Sequence, residues 1–429
     1  MVSVYYEKFV TMIDKQKPIL SQKLNSTIAH LVHTAQLHGE TALPSYLSSL
    51  LQQHMFTPYT FDSAKHLVCG RYSAEKTQTL LLFSHCPPQQ DAFARWAMFV
   101  TRLLTFGFYH ETIGSLPVNV VWLIDTTTES QKERTKSHSI ADDDAILQGS
   151  GCLYDVPASA TLPFHFLALG TKGLLSVEAE VQTASLAHDA LYSTILPNAA
   201  WRLLWALQSI KNPYEEILIE GFYDTLVPME DEEIALLRAM PDDEQTLKQQ
   251  LHVDDFLLHL HGFQLRYAYY LLPSCTITRI RSGSDTVEVR HTLLSSAQAS
   301  LDIYLVPAQE PHDIYRKLRH HLDAQGFADV HTTMRESKSP HHASLHEPFT
   351  QLVVNATDTI YGDNMPILPL LPLVNILHPL QAQLSMPILY TRMDCLSDSH
   401  DEHDILQEKH KQSLVDGMKC LGMIMEDMA

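Results

Sequence analysis

A histidine carried to the end of a buried strand is a group able to bind a metal or move a proton, and the run TLLLFSH (79–85) delivers His85 in that way. The carboxyl ends of buried strands are where open α/β sheets keep their chemistry. Two residues on, where a carboxylate would orient a metal-bound imidazole, stands Pro87. Asp91 opens the stretch DAFARWAMF, where it serves as a good N-cap for a helix. Asp155 closes GCLYD, a place where aspartates commonly cap turns. SDSHDEHD (397–404) is dense in ligand types around His400, and it reads equally as a solvated acidic loop before a helix. In LHLHGF (258–263), alternation puts His259 and His261 on one face of a strand, a structural pair with no third partner. The pairs His320–His321 and His341–His342 read as surface.

These groups need elements to position them. Residues 1–55 carry helical spacing, as in SYLSSLLQQHMF. HLVCGRY and TLLLFSH read as strands, the second buried on both faces because it does not alternate. DAFARWAMFVTRLLTFGF reads as a helix with an apolar stripe, LPVNVVWLID (116–125) as another buried strand, and QKERTKSHSIADDDA as a polar loop or helix. Strand, helix, strand in this order predicts a parallel sheet with crossover helices. The texture changes near Gly170: GLLSVEAEVQT and SLDIYLVPAQ alternate, as half-exposed strands do. Helices NAAWRLLWALQSI and DEEIALLRAM lie between them, and EPHDIYRKLRHHLDAQGF follows, an α+β unit of antiparallel strands with helices on one face. MRESKSPHHASLHEP (334–348) reads as a linker. Buried-strand texture returns in MPILPLL and SMPILYTRM, before a helix from Asp404 to Ala429.

Bulk properties narrow the partners. The 429 residues suffice for two or three cores. A net charge of −20 repels phosphate backbones and anionic lipid, which argues against nucleic acid and membrane surfaces. The six cysteines are scattered without a CxxC pair, as expected in a reducing cytosol. MVSVYYEKFVTMIDKQKP lacks the basic and apolar regions of a signal peptide, and MPILPLLPLVNILHPL (365–380) is shorter than the ~20 apolar residues of a membrane span. A cytoplasmic location is expected.

In order along residues 40–429, these landmarks resemble the zinc-dependent metallopeptidase family of carnosinases, aminoacylases, acetylornithine deacetylase and succinyl-diaminopimelate desuccinylase. LLLFSHCPP resembles the family's strand ending in a His-x-Asp zinc site, which implies His85 as ligand and leaves Pro87 in place of the orienting aspartate. Asp91 resembles the aspartate that bridges two zincs, although DAFA replaces Asp-x-Lys-Gly and the spacing from His85 is short. LPVNVVWLIDTTTES resembles the strand that ends in glutamates, one the general base and its neighbour a ligand. Those positions fall on Thr127 and Thr128; a slip of one residue puts Glu129 in the ligand position and leaves Thr128 as the base, and Thr cannot take the proton.

GCLYDVP resembles the strand ending in another ligand, which implies Asp155, and SDSHDEHD resembles the closing His-Ser-Pro-Asn-Glu motif, which implies His400. SLAHDALYSTILPNAA resembles the Asp-Leu-His-Ser-Gly start of an inserted lid and keeps His188, while EEILIEGFYD is also similar to the family. Tyr304 stands where the lid strand carries a substrate-binding Arg, so the cation for a substrate carboxylate is missing. In YGDNMP, Asp363 and Asn364 replace the Gly and Ser of a substrate-cradling turn.

The expected fold is α/β, a metallopeptidase-type catalytic domain (1–171 and 343–429) interrupted by an α+β lid or dimerisation domain (172–342). His85, Asp91, Asp155 and His400 keep competent donors, while the base region around Thr127 and Glu129 is degenerate. The resemblance implies zinc, as one ion or none, a small peptide or acyl-amino-acid ligand, and a homodimer through the lid. Three readings follow: an impaired metallopeptidase-like protein, an active one-metal hydrolase using Glu129 or Glu133, and a non-enzymatic interaction protein.

Overall fold

The computed structural model describes residues 3–61, 64–86, 93–126, 149–156, 165–240, 243–282, 291–374, 384, 386–393 and 408–429. Helix α1 (Val4–Gln53) takes an N-cap from Ser3, whose hydroxyl accepts from the Tyr5 amide. A hairpin of β1 (Thr57–Phe61) and β2 (Ala64–Tyr72) follows. Next come β3 (Thr79–His85), α2 (Phe93–Ile113), β4 (Asn119–Asp125), β5 (Gly151–Asp155) and β6 (Phe166–Ala168). The middle of the chain carries β7 (Gly170–Gln182), β8 (His188–Asp189), α3 (Ala199–Ile210), α4 (Asp231–Ala239), α5 (Glu244–Leu251), α6 (Gly262–Leu271), β9 (Ser274–Ser282), β10 (Thr292–Leu293), β11 (Ser296–Leu305) and α7 (Pro311–Ala324). It ends with β12 (His331–Lys338), β13 (His341–His342), α8 (Pro348–Tyr361), β14 (Ile367–Leu368), β15 (Leu371–Val374), β16 (Ile388–Arg392) and α9 (Glu408–Met428).

An eight-stranded sheet runs β1-β2-β4-β3-β5-β16-β6-β14. Its centre is parallel, β3 pairing with β4 and β5, and β5 with β16, as the buried non-alternating runs require. The pleat sends Leu80, Leu82, Trp122, Ile124 and Leu153 to a face covered by α1, α2, α8 and α9. Leu81, Phe83, Leu123, Cys152 and Tyr154 go to the other face. A second sheet runs β12-β7-β11-β9, all antiparallel, with β13 and β15 joining the start of β7. Burial alternates residue by residue along β11, and α3 and α7 pack on the apolar side.

Helices α4 and α6, within the 172–342 stretch, place Leu237, Tyr270 and Leu271 against the eight-stranded sheet, as does Met240 just after α4. The structure corrects other sequence expectations. Much of the 334–348 segment read as a linker is strand: β12 pairs with β7 through Lys338, and β13 pairs with its start. LHLHGF is not a strand, because Leu258 and His259 take positive φ of 53° and 55° and α6 starts at Gly262. His321 is buried, its Nε2 2.9 Å from the Ser209 carbonyl, while His341 and His342 are half-buried on β13. Among the described residues no helix is long and apolar enough to cross a membrane.

Candidate active site

The parallel register lines up the carboxyl ends of four strands. His85 of β3 is paired with Asp125 of β4, and Asp155 of β5 with Thr391 of β16. Glycine is required where β5 begins, because a Cβ on Gly151 would stand 2.3 Å from the Phe349 ring of α8. The Cys86 amide donates to the Asp125 carbonyl at 2.8 Å, and the Thr126 amide to the His66 carbonyl at 2.9 Å, which extends the pairing past both strand ends.

His85 and Asp155 sit on adjacent strands but on opposite faces. His85 shares the parity of Leu81 and Phe83; its ring is buried and its Nε2 lies 4.0 Å from Asp125 Oδ2. Asp155 shares the parity of Leu153 and meets Ser84, the residue before His85. Ser84 Oγ donates to Asp155 Oδ2 at 2.6 Å while accepting from Trp122 Nε1 at 3.0 Å. Arg102 Nη2 of α2 donates to Asp155 Oδ1 at 2.9 Å, and the two side chains are 0% and 4% exposed. Both carboxylate oxygens are therefore engaged, one by a cation.

This network decides how well Asp155 suits a metal. Each oxygen retains a lone pair, so the obstacle is charge rather than valence. A dication on Asp155 would press against a buried guanidinium, in a medium where like charges ~4 Å apart repel by several kcal/mol. Asp155 as placed is already charge-balanced by Arg102, which disfavours it as a metal ligand. Asp91, Thr127, Thr128, Glu129, Glu133, Pro87 and His400 lie outside the described residues.

The remaining predicted residues lie elsewhere. His188 is exposed on β8 opposite Leu293, and Asp189 caps the following turn by accepting from the Leu191 amide. Tyr304 on β11 is half-buried between Leu174 and Ser274, and burial raises its hydroxyl pKa. Asn364 is exposed and donates to the Tyr361 carbonyl at 3.1 Å.

Sequence reasoning missed Arg102, Ser84 and Trp122. The available signal was Arg102 itself, a charge flanked by Val100, Leu103 and Leu104 within an apolar stripe, which a buried helix tolerates only with a partner. It also missed Arg392, buried at the end of β16, and the cluster of Glu230 and Glu232 at the start of α4 with His346 from the segment before α8. His346 Nε2 lies 3.1 Å from Glu230 and 3.7 Å from Glu232, and His342 Nε2 lies 2.7 Å from the buried Glu233. The three exposed side chains are close enough to share a cation, although the adjacent helix N-terminus favours anions.

No family model matches the chain. Beta-Ala-His dipeptidase of Mus musculus is 20% identical over 321 residues, 72% of this chain and 63% of that protein, so the chain spans less than two thirds of this curated relative's length. An M20 family metallo-carboxypeptidase from Sulfolobus solfataricus superposes with a TM-score of 0.72 at 17% identity, over 90% of this chain and 95% of the other. The dipeptidase Dug1p of Saccharomyces cerevisiae does so with a TM-score of 0.68 at 15% identity, over 99% and 98%. The chain thus has an α/β fold like that of these M20-type metallopeptidase structures. In sequence the chain is similar, at 20% and 23% identity, to the Beta-Ala-His dipeptidases of Mus musculus and Homo sapiens.

Proposed function

We propose that the protein is an impaired metallopeptidase-like member of this family, with a small peptide or acyl-amino acid as the ligand class of its strand-end site. The observation that carries the reading is the Arg102–Asp155–Ser84 network, which engages one assigned ligand on the face opposite His85. Thr127 and Thr128 in the base region support it, because a positioned base contributes ~10²–10⁴-fold and threonine cannot act as one. The test combines zinc analysis of protein purified without chelator with turnover of a dipeptide and acyl-amino-acid panel. Little zinc and turnover far below ~10 s⁻¹ are expected; ordinary turnover would overturn the reading and make Glu129 and Glu133 the bases to replace.

We also propose a homodimer through the 172–342 insertion. Edge strand β9 exposes Ile277 and Ile280, and α3 exposes Trp201 and Trp205, whose rings stack at 6.0 Å. A strand edge pairing with its own copy across a twofold axis is self-complementary. Light scattering of the protein and of Trp201→Glu tests it: a dimer that the variant weakens is expected, and a monomeric parent at micromolar concentration would refute it.

A further inference from the structure

We propose that Arg102 is a resident cation that takes, at Asp155, the charge-balancing role a metal ion would fill, so that helix α2 itself closes this strand end to metal. The inference rests on the reading of an impaired site and assigns a residue to the impairment. Three observations converge. A carboxylate as buried as Asp155 needs a counter-charge, and Arg102, with no exposed surface, supplies it at 2.9 Å. The second oxygen is held by Ser84, which Trp122 Nε1 fixes in turn, so the carboxylate is oriented toward α2. The strand pleat turns the imidazole of His85 to the other face, beside Asp125.

Guanidinium suits this post because it is always charged, is weakly hydrated, and presents donors in a fixed fork that matches a carboxylate. Arg102 touches no reacting atom in this scheme. It is a positioning residue, which holds Asp155 against α2 and keeps β5 and α2 in one arrangement.

The test is chemical rescue of the full-length chain. Arg102→Ala leaves Asp155 without its cation and opens a void of guanidinium shape. Thermal unfolding is followed with added methylguanidinium, with zinc, and with potassium chloride at matched ionic strength, alongside zinc retained after desalting. The expected results are a lowered midpoint in Arg102→Ala, an upward shift with methylguanidinium beyond the salt control, and no such shift in Arg102→Ala/Asp155→Asn. The parent should retain no zinc whose loss follows Asp155→Asn.

The proposal is overturned if Asp155→Asn strips stoichiometric zinc from the parent, or if no cation raises the midpoint of Arg102→Ala above the salt control. Should Arg102→Ala fail to fold, Arg102→Lys and Arg102→Met decide. A lysine variant more stable than the methionine variant supports a cation role, and equal stability refutes it. Turnover of the parent is a separate readout: an active parent free of Asp155-dependent zinc would refute the impaired site while leaving the role of Arg102 intact.

Discussion

Acid should destabilise this protein through two shielded histidines, and the size of the effect follows from where they sit. His165 leads into β6, with its ring 5.5 Å from Tyr361 and its Nε2 3.4 Å from Ser413 Oγ. His341 stands on β13 with its ring 5.9 Å from Tyr390. Burial pushes both imidazoles from 6.5 down to about 4; at His165 hydrogen bonds to the backbone of Arg392 and Met393 oppose the lowering while the charge of Arg392 adds to it, and at His341 the neighbouring His342 adds to it. The folded pKa lies below the unfolded one, so between these values the unfolded chain binds more protons. The stability linked to the neutral rings is complete above about pH 6.5, declines as pH falls, and is gone below about pH 4.

Integrating proton uptake from about pH 7 to about pH 5 gives a loss of about 2 kcal/mol for each histidine and about 4 kcal/mol for both. Asp416, Glu426 and Asp427 work the other way, because burial raises their carboxyls and their protonation favours the folded state. They are common to parent and variants, so they cancel in a difference. Urea unfolding of the parent, His165→Gln, His341→Gln and the double variant at the two pH values measures that difference. The parent should lose about 4 kcal/mol more than the double variant on acidification. Equal losses in all four proteins would refute the reasoning, since glutamine cannot take up the proton.

Two further substitutions test the framework that positions the site. Ser84→Ala removes the hydroxyl between Asp155 Oδ2 and Trp122 Nε1; urea unfolding should show about 2–4 kcal/mol of lost stability, and a loss below about 1 kcal/mol would deny the network its role. Gly170→Ala puts a Cβ 2.1 Å from the His341 carbonyl oxygen, a clash of backbone with backbone where β13 joins β7, so a loss of about 3 kcal/mol or more is expected in the same assay, and a neutral variant would contradict the pairing.

How much of this was legible in the sequence depended on whether a residue's partners lay in its own element. Strands β3, β4 and β5 announced themselves because strands buried on both faces need apolar residues at every position, and α2 because a helix on a sheet shows its stripe. Strand β12 did not, because HTTMRESK lies at the edge of its sheet with its side chains exposed or half-exposed, and what holds it, backbone pairing with β7, the ion pair of Arg335 with Glu178 and the packing of Met334, depends on residues distant in sequence. LHLHGF misled in the opposite sense, since alternation of side chains is blind to the positive φ of Leu258 and His259.

The candidate site fails to be legible for a third reason. Ending a strand on His85 or Asp155 fixes which sheet edge the group reaches, and the resemblance to metallopeptidases supplies a role for it. Which face it serves is decided by the pleat and by what the covering helix offers. Arg102 comes from α2, 53 positions before Asp155, and its pairing depends on how that helix lies across the sheet. A motif match at Asp155 compares residue types along the chain and does not register the cation packed on it from α2. On the proposed reading, a strand end in this fold can keep its ligand residues and still be closed to metal, when a helix supplies the charge that a metal would otherwise bring.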